Sequence, residues 1–412
     1  MLLTDLSHNV RQYLLITANY WAFTLTDGAL RMMVILFFHQ QGYSPLEIAS
    51  LFVFYEFFGV VTNLLGGWLG AKFGLNRTMN VGLFLQLVAL LMLALPTPAL
   101  TVIWVMAAQA LSGVAKDLNK MSAKSAIKLL VPEEQQDALY RWIATLTGSK
   151  NTLKGAGFFL GGALLFQFGF QASILIMTFS LMFVWLVSLF YLKRDLGKAS
   201  KKVKFKQLFS KSKAINRLAL ARLFLFASRD VWFVIALPVF LARQLDWSHS
   251  QVGSLLACWI IFYGIVQTQA PKFTRIKSKS YRTVATGWAL ALSAIPAAIA
   301  FTQFSNFHPI NLLILGLFVF GFVFAVNSAL HSFLIVNFSD ADAVSTDVGF
   351  YYMANAAGRL LGTLLSGWVF QEHGLTACLL VSSAFLSVAT LISATLPGAQ
   401  CSNLSPRSNS QR

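Results

Sequence analysis

The sequence predicts an all-α membrane protein of about 12 transmembrane helices in two six-helix bundles. Three observations lead there. The 412 residues are 57% hydrophobic and only 11% charged, with a mean hydropathy of +0.65. A soluble domain carries about 25% charged residues. About a dozen apolar stretches recur, each near the roughly 20 residues that cross a bilayer. Finally, the two halves of the chain repeat each other. LSGVAKDLNKMSAKSAI (111–127) aligns with VFGFVFAVNSALHSFLI (319–335), setting Asn119 opposite Asn327. SKNTLKGAGFFLGG (149–162) aligns with MANAAGRLLGTLLSGW (353–368), setting Asn151 opposite Asn355.

Taken in order, the predicted spans are 13–38, 46–70, 78–96, 101–128, 138–166, 171–192, 214–242, 250–270, 283–303, 309–336, 345–370 and 375–396. The first holds Asp27 and Arg31 and lacks a small-residue cleavage pattern, so it is expected to stay as a membrane helix. Basic connections alternate with connections that hold no Lys or Arg. Lys72 and Arg77 follow the second span, KRDLGKASKKVKFKQLFSKSK (193–213) the sixth and PKFTRIKSKSYR (271–282) the eighth. Lys and Arg mark the cytoplasmic side, which puts both termini there. Most of the formal charge of +17 is therefore a topology signal and not a nucleic-acid site. The expected organisation is an N-terminal bundle (1–192), a basic cytoplasmic linker (193–213) against lipid head groups, a C-terminal bundle (214–396) and a disordered tail (397–412). Cys258, Cys378 and Cys401 are far apart and suggest neither a disulfide framework nor a thiolate metal site.

The stretch 116–154 breaks the apolar pattern. Lys116, Lys120, Lys124 and Lys128 recur every four residues, which on a helix makes one stripe drifting by about 40° per step. Lys150 and Lys154 repeat the spacing on the next segment, beside Asn151. One reading ends the fourth helix at Ala115 and leaves the lysines on a solvated cytoplasmic helix. The repeat favours the other, because the matching stretch 324–336 is almost uncharged and continues its helix unbroken. A cation at membrane depth costs ~2.5–3.5 kcal/mol even on the lenient insertion scale. Several together call for water, an acid partner or an anionic substrate. Asp117 can pair with some of them but not all.

The other intramembrane charges are Asp27, Arg31, Glu56, Arg222, Arg229, Asp230 and Arg359. Asp27 and Arg31 are spaced to pair across one helical turn. Arg229 and Asp230 are adjacent, so on a helix they point about 100° apart and are expected to find other partners. Arg offers a planar fork for phosphate where Lys offers a point charge. Asp27, Glu56, Asp117 and Asp230 are candidate proton carriers or permanent counter-ions, the second being the expected role of Asp117, and Arg31 is the expected ion-pair partner of Asp27. No P-loop, HExxH or GxSxG pattern occurs, so neither an ATP-driven pump nor an enzyme is expected, and no cofactor.

GWLGAKFGLNR (67–77) resembles the signature of the major facilitator superfamily between its second and third helices. Gly67, Lys72, Gly74 and Arg77 match in kind, while Ala71 replaces the acid and Leu75 and Asn76 replace basic positions. Longer strings narrow the resemblance: NYWAFTLTDGALRM (19–32), FYEFFGVVTNLLGGWLGAKFGLNRTMN (54–80), ALSGVAKDLNKMSAKSAIKLLVPE (110–133), ARLFLFASRDVWFVIALPV (221–239) and DVGFYYMANAAGRLLGTLLSGWVFQ (347–371). Together they resemble the ArsJ family of bacterial organoarsenical efflux permeases. The resemblance implies an inner-membrane exporter of 1-arseno-3-phosphoglycerate. A glyceraldehyde-3-phosphate dehydrogenase partner makes that ester, and its export gives arsenate resistance. Such an ester has an anionic group at each end, which suits two cationic clusters. Lys116, Lys120, Lys124, Lys150 and Lys154 are expected at one end and Arg229 and Arg359 at the other. Asn119, Asn151, Asn327 and Asn355 are expected between them. An organic-phosphate antiporter or importer would show nearly the same features; a cationic-drug exporter would present acids instead.

Overall fold

The computed structural model describes residues 8–43, 51–132, 135–193, 196–198, 212–274, 280–304 and 310–398. Most of the 193–213 linker and of the 397–412 tail lies outside these residues. Among the described residues the chain is helical throughout: α1 (His8–Gln40), α2 (Val53–Phe73), α3 (Leu75–Leu93), α4 (Val102–Leu130), α5 (Gln136–Tyr191), α6 (Lys213–Phe233), α7 (Ala236–Gln244), α8 (His249–Thr274), α9 (Tyr281–Phe304), α10 (Ile310–Phe338) and α11 (Val344–Ser393).

Two of these are too long for a bilayer. As a straight rod, the 56 residues of α5 would measure about 84 Å, against a hydrocarbon core of about 30 Å. Each long helix is broken by a glycine in the left-handed region that side chains avoid: Gly169 (φ 73°) in α5 and Gly374 (φ 73°) in α11. The chain reverses there. Before the break, α5 runs along α1, where a Cβ on Gly161 would strike the Ala29 carbonyl. Phe170 then stacks on Phe37 at 4.1 Å, and Ser188, far down the returning arm, accepts from Asn19. In α11, Gly358 packs on Leu223, and beyond the break Thr395 accepts from Arg217. The two breaks lie at matching points of the repeat. With α6 and α7 following one another as a single span, the described residues make twelve crossings in two six-helix bundles.

The outward faces suit lipid. Phe166, Phe190, Ile103 and Phe301 stand almost fully exposed on long apolar helices. Their backbone groups are satisfied within each helix, as hydrocarbon requires. This is a multi-pass membrane protein. One helix departs from the apolar pattern: α4 runs unbroken from its Thr101 cap, whose side chain accepts from Trp104 N, to Leu130. It does not stop at Ala115; the lysine stripe continues it.

The bundles meet through α2 against α11 and α5 against α8 and α10. At the end that carries the Lys72–Arg77 turn they are closed. A Cβ on Gly67 would lie 3.1 Å from Gly349 Cα, Tyr140 stacks on Phe333 at 4.6 Å, and Lys128 Nζ donates to the Asn337 carbonyl at 3.4 Å.

Candidate functional site

The lysines of α4 and α5 converge on the interface between the bundles. Lys116 Nζ sits 3.7 Å from the centre of the Tyr55 ring. One turn on, Lys120 pairs with Asp117 at 2.6 Å and lies 4.9 Å above the Tyr352 ring. Another turn on, Lys124 is 3% exposed and donates to the Tyr352 hydroxyl across the bundle interface. Lys128 is the member of the stripe that ends at the closed rim. Lys150 and Lys154 come from α5. The charges acting on Lys150 are those of Lys120, Lys124, Lys116 and Arg359; on Lys154 they are Arg31, Asp27, Lys150 and Lys116.

Three carboxylates are described here, and each is engaged. Asp117 holds Lys120. Asp27 accepts from the Tyr55 hydroxyl at 3.0 and 3.1 Å. It does not make the expected pair with Arg31, whose guanidinium lies over the Tyr55 and Phe52 rings at 4.7 and 4.9 Å. Tyr55 intervenes with both its hydroxyl and its face. Asp230, fully buried, bonds Arg229 at 2.5 Å and Arg359 at 3.3 Å. The adjacent Arg229 and Asp230 therefore do pair, contrary to the helical-wheel expectation: the long arginine side chain curls back to its neighbour. Glu56 lies outside the residues whose side chains are described.

Among the described residues no carboxylate lies within ion-pair distance of Lys116, Lys124, Lys150, Lys154 or Arg222. At membrane depth such cations are costly unless an anion joins them. Ring faces compensate only in part, each cation–π contact being worth ~0.5–2 kcal/mol.

The asparagines divide. Asn151 donates to Gln267 at 2.6 Å, tying α5 to α8. Asn355 accepts from Arg222 Nε at 2.9 Å and so orients that guanidinium toward the interface. Asn119 and Asn327 do not join the cations. Asn119 turns away to donate to Asn19 at 3.2 Å, and Asn19 continues through Ser188 to Asn80. Asn327 donates to the Trp288 and Val323 carbonyls. Both are fully buried, and their short amides bind helices together within a bundle. A helical repeat brings residues to equivalent heights without fixing which side of the helix each faces.

The site also contains Tyr352, which the sequence offered only as a candidate cavity-lining aromatic, and residues it did not single out as binding groups: Tyr55, Arg222, Gln267 and His331. Tyrosines in an apolar helix look like packing or interfacial residues. The available signal was the pair Tyr351–Tyr352, two adjacent hydroxyls deep in a span.

The model of the Major Facilitator Superfamily matches residues 14–235 and 218–400. No curated protein matches the chain. Among solved structures, the chain is similar to the human organic anion transporter MFSD10 (TETRAN), with 15% identity and a TM-score of 0.73 over 94% of this chain and 100% of that one. It is similar to the E. coli fucose:proton symporter FucP, with 12% identity and a TM-score of 0.74 over 94% and 98%. It is similar to a bacterial homologue of the iron transporter ferroportin in its outward-facing state, with 13% identity and a TM-score of 0.73 over 93% and 98%.

Proposed function

The chain belongs to the major facilitator superfamily of membrane transporters, and we propose that it is a secondary exporter of a small organic polyanion, 1-arseno-3-phosphoglycerate, conferring arsenate resistance. One observation carries the polyanion: the cluster of Lys116, Lys124, Lys150, Lys154 and Arg222, which has no carboxylate partners among the described residues. The particular ester rests on the resemblance of the longer strings to organoarsenical efflux permeases. Phosphate-type groups carry about −1.5 to −2 charge each at neutral pH, so an ester with one at either end suits cations supplied by both bundles. Lys116, Lys120, Lys124, Lys150 and Lys154 hold one end in this reading. Arg229 and Arg359 serve the other as Asp230 gives them up, and Asn151 and Asn355 position the side chains around the cargo. A human protein of similar fold is an organic anion transporter, which is in keeping with this reading.

The protein lies in the bacterial inner membrane with both termini in the cytoplasm, its closed basic rim facing inward, according to the positive-inside rule. A glyceraldehyde-3-phosphate dehydrogenase supplies the ester. Exit of an anion down an inside-negative potential gains ~2.3 kcal/mol per charge per 100 mV, so proton exchange through Asp27, Glu56, Asp117 or Asp230 is an addition and not a requirement. An organic-phosphate antiporter or importer would use the same cations. The test is arsenate tolerance of a sensitive host expressing this chain, the dehydrogenase, or both. Tolerance that needs both supports ester export. Tolerance from this chain alone means free arsenate is the cargo, and no tolerance, with uptake of glycerol 3-phosphate instead, supports the importer.

A further inference from the structure

Two cations from opposite bundles approach each other with no acid between them among the described residues. Lys124 comes from α4 and Arg222 from α6, and each is 3% exposed. The charge acting most strongly on Lys124 is that of Arg222. A pair of tyrosines connects them. Lys124 Nζ is 4.7 Å from the Tyr352 ring centre, Tyr352 meets Tyr351 edge-on at 4.9 Å, and the Arg222 guanidinium is 5.2 Å from the Tyr351 ring centre.

The donors here outnumber the acceptors. An ammonium has three donors, and Lys124 uses one on the Tyr352 hydroxyl. A guanidinium has five, and Arg222 uses Nε on Asn355 Oδ1 and one NH group on the Ser328 carbonyl at 3.1 Å. Among the described residues, both ring nitrogens of His331 are buried without a hydrogen-bond partner, and the Tyr351 and Ser332 hydroxyls are buried with no partner beyond their own tyrosine–serine cluster. Buried polar groups are ordinarily satisfied, so spare donors beside two cations that have no carboxylate partner among the described residues suit an added acceptor. The repeat shows the same bias. Ser332 occupies the position in the second half that Lys124 occupies in the first, so the second half draws its cation from another helix.

We propose that Lys124, Arg222, Tyr351 and Ser332 form a bundle-bridging subsite for one tetrahedral oxyanion of the phosphate class. The ammonium supplies a point charge, the guanidinium a planar fork and the two hydroxyls the remaining donors. Such a group fits the valence that is missing: it brings up to two negative charges and several acceptor oxygens on one small centre. The proposal rests on the anionic-cargo reading and deepens it. It refines the division given above: Lys124 joins Arg222 at one end of the cargo in place of Arg229 and Arg359, and Lys116, Lys120, Lys150 and Lys154 keep the other.

The probe is inorganic phosphate, applied to the full-length protein in lipid nanodiscs at constant ionic strength, with sodium chloride as the balancing salt. The readout is the thermal unfolding midpoint as a function of phosphate concentration. The subsite predicts a saturable rise for the unaltered protein. It predicts at least a tenfold weaker apparent affinity for Lys124→Gln and a smaller loss for Ser332→Ala. Arg222→Lys, which keeps the charge but loses the fork, stands in for bolder changes that would endanger folding, and should weaken phosphate severalfold. Lys213→Gln, which removes an exposed charge at the start of α6 outside the site, should respond to phosphate as the unaltered protein does. No rise in the unaltered protein, or an equal rise in Lys124→Gln, overturns the subsite. The two readings fail separately. If phosphate binds here but the arseno-ester is not transported, the cargo assignment falls and the subsite stands. If the ester is transported and phosphate does not bind, the reverse holds.

Discussion

Gly67 and Gly349 meet backbone to backbone across the two bundles. A Cβ built on Gly349 would lie 2.8 Å from both the Asn63 carbonyl oxygen and Gly67 Cα, distances that real Cβ atoms do not adopt. The obstruction is backbone, so it cannot swing aside as a side chain would. The closed rim therefore needs glycine on both sides. Met121 lies buried behind this contact, accepting from the Ser345 hydroxyl at 3.5 Å.

Gly349→Leu is predicted to hold the rim open while each bundle stays folded. A cysteine at position 121, in a background without the native cysteines, reports this through a membrane-impermeant maleimide added from the basic side. Labelling should be slow with Gly349 and at least tenfold faster with Gly349→Leu, and transport should be lost. Equal labelling rates would mean that another contact keeps the rim shut.

Asp230 is shared by Arg229 and Arg359, and its removal should cost more than the pairs contribute. Breaking a buried ion pair from one side leaves uncompensated charge, typically ~3–5 kcal/mol. Asp230→Asn is thus predicted to lower the unfolding midpoint sharply, and Arg229→Gln added to it should recover part of the loss. The double-mutant cycle measures this directly. An additive second loss would show that Arg229 is held by packing on Phe226 and Phe324, 4.8 and 5.4 Å away, and not by its charge.

The asparagines supply a contrast. Asn119→Ala breaks the chain of amides from Asn119 through Asn19, and should cost ~1–3 kcal/mol of stability by leaving buried groups unpaired. It should leave the apparent affinity for cargo unchanged. Asn355→Ala, which releases Arg222, should do the opposite, weakening cargo affinity at least fivefold with a modest effect on stability. Measured KM and unfolding midpoints for the two variants separate these outcomes.

Much of the architecture was legible before any coordinates. Hydrophobic stretches mark the spans because lipid demands them. The repeat correctly argued that α4 runs on through Lys116–Lys128, which hydropathy alone would have cut at Ala115. The cationic character of the interface was equally readable, since Lys at four-residue spacing can only make a stripe. The partners were not. Tyr55 stands between Asp27 and Arg31, although their spacing suits a pair, and Arg229 curls back to Asp230, although their helical directions diverge. Both outcomes depend on side-chain length and on what a second helix inserts. The facing of Asn119 and Asn327 was hidden for a related reason: alignment between halves conveys height along a helix but not rotation about it.

The most direct test of the central claim uses everted membrane vesicles supplied with arsenate, glyceraldehyde 3-phosphate, NAD and the dehydrogenase, following arsenic uptake for the unaltered chain and for Lys150→Gln with Lys154→Gln. The account predicts uptake that needs all four components and falls at least tenfold in the double variant, with protein level and unfolding midpoint preserved. Undiminished uptake by the double variant would contradict it, because Lys150 and Lys154, which lack carboxylate partners among the described residues, would then have no part in holding the anion.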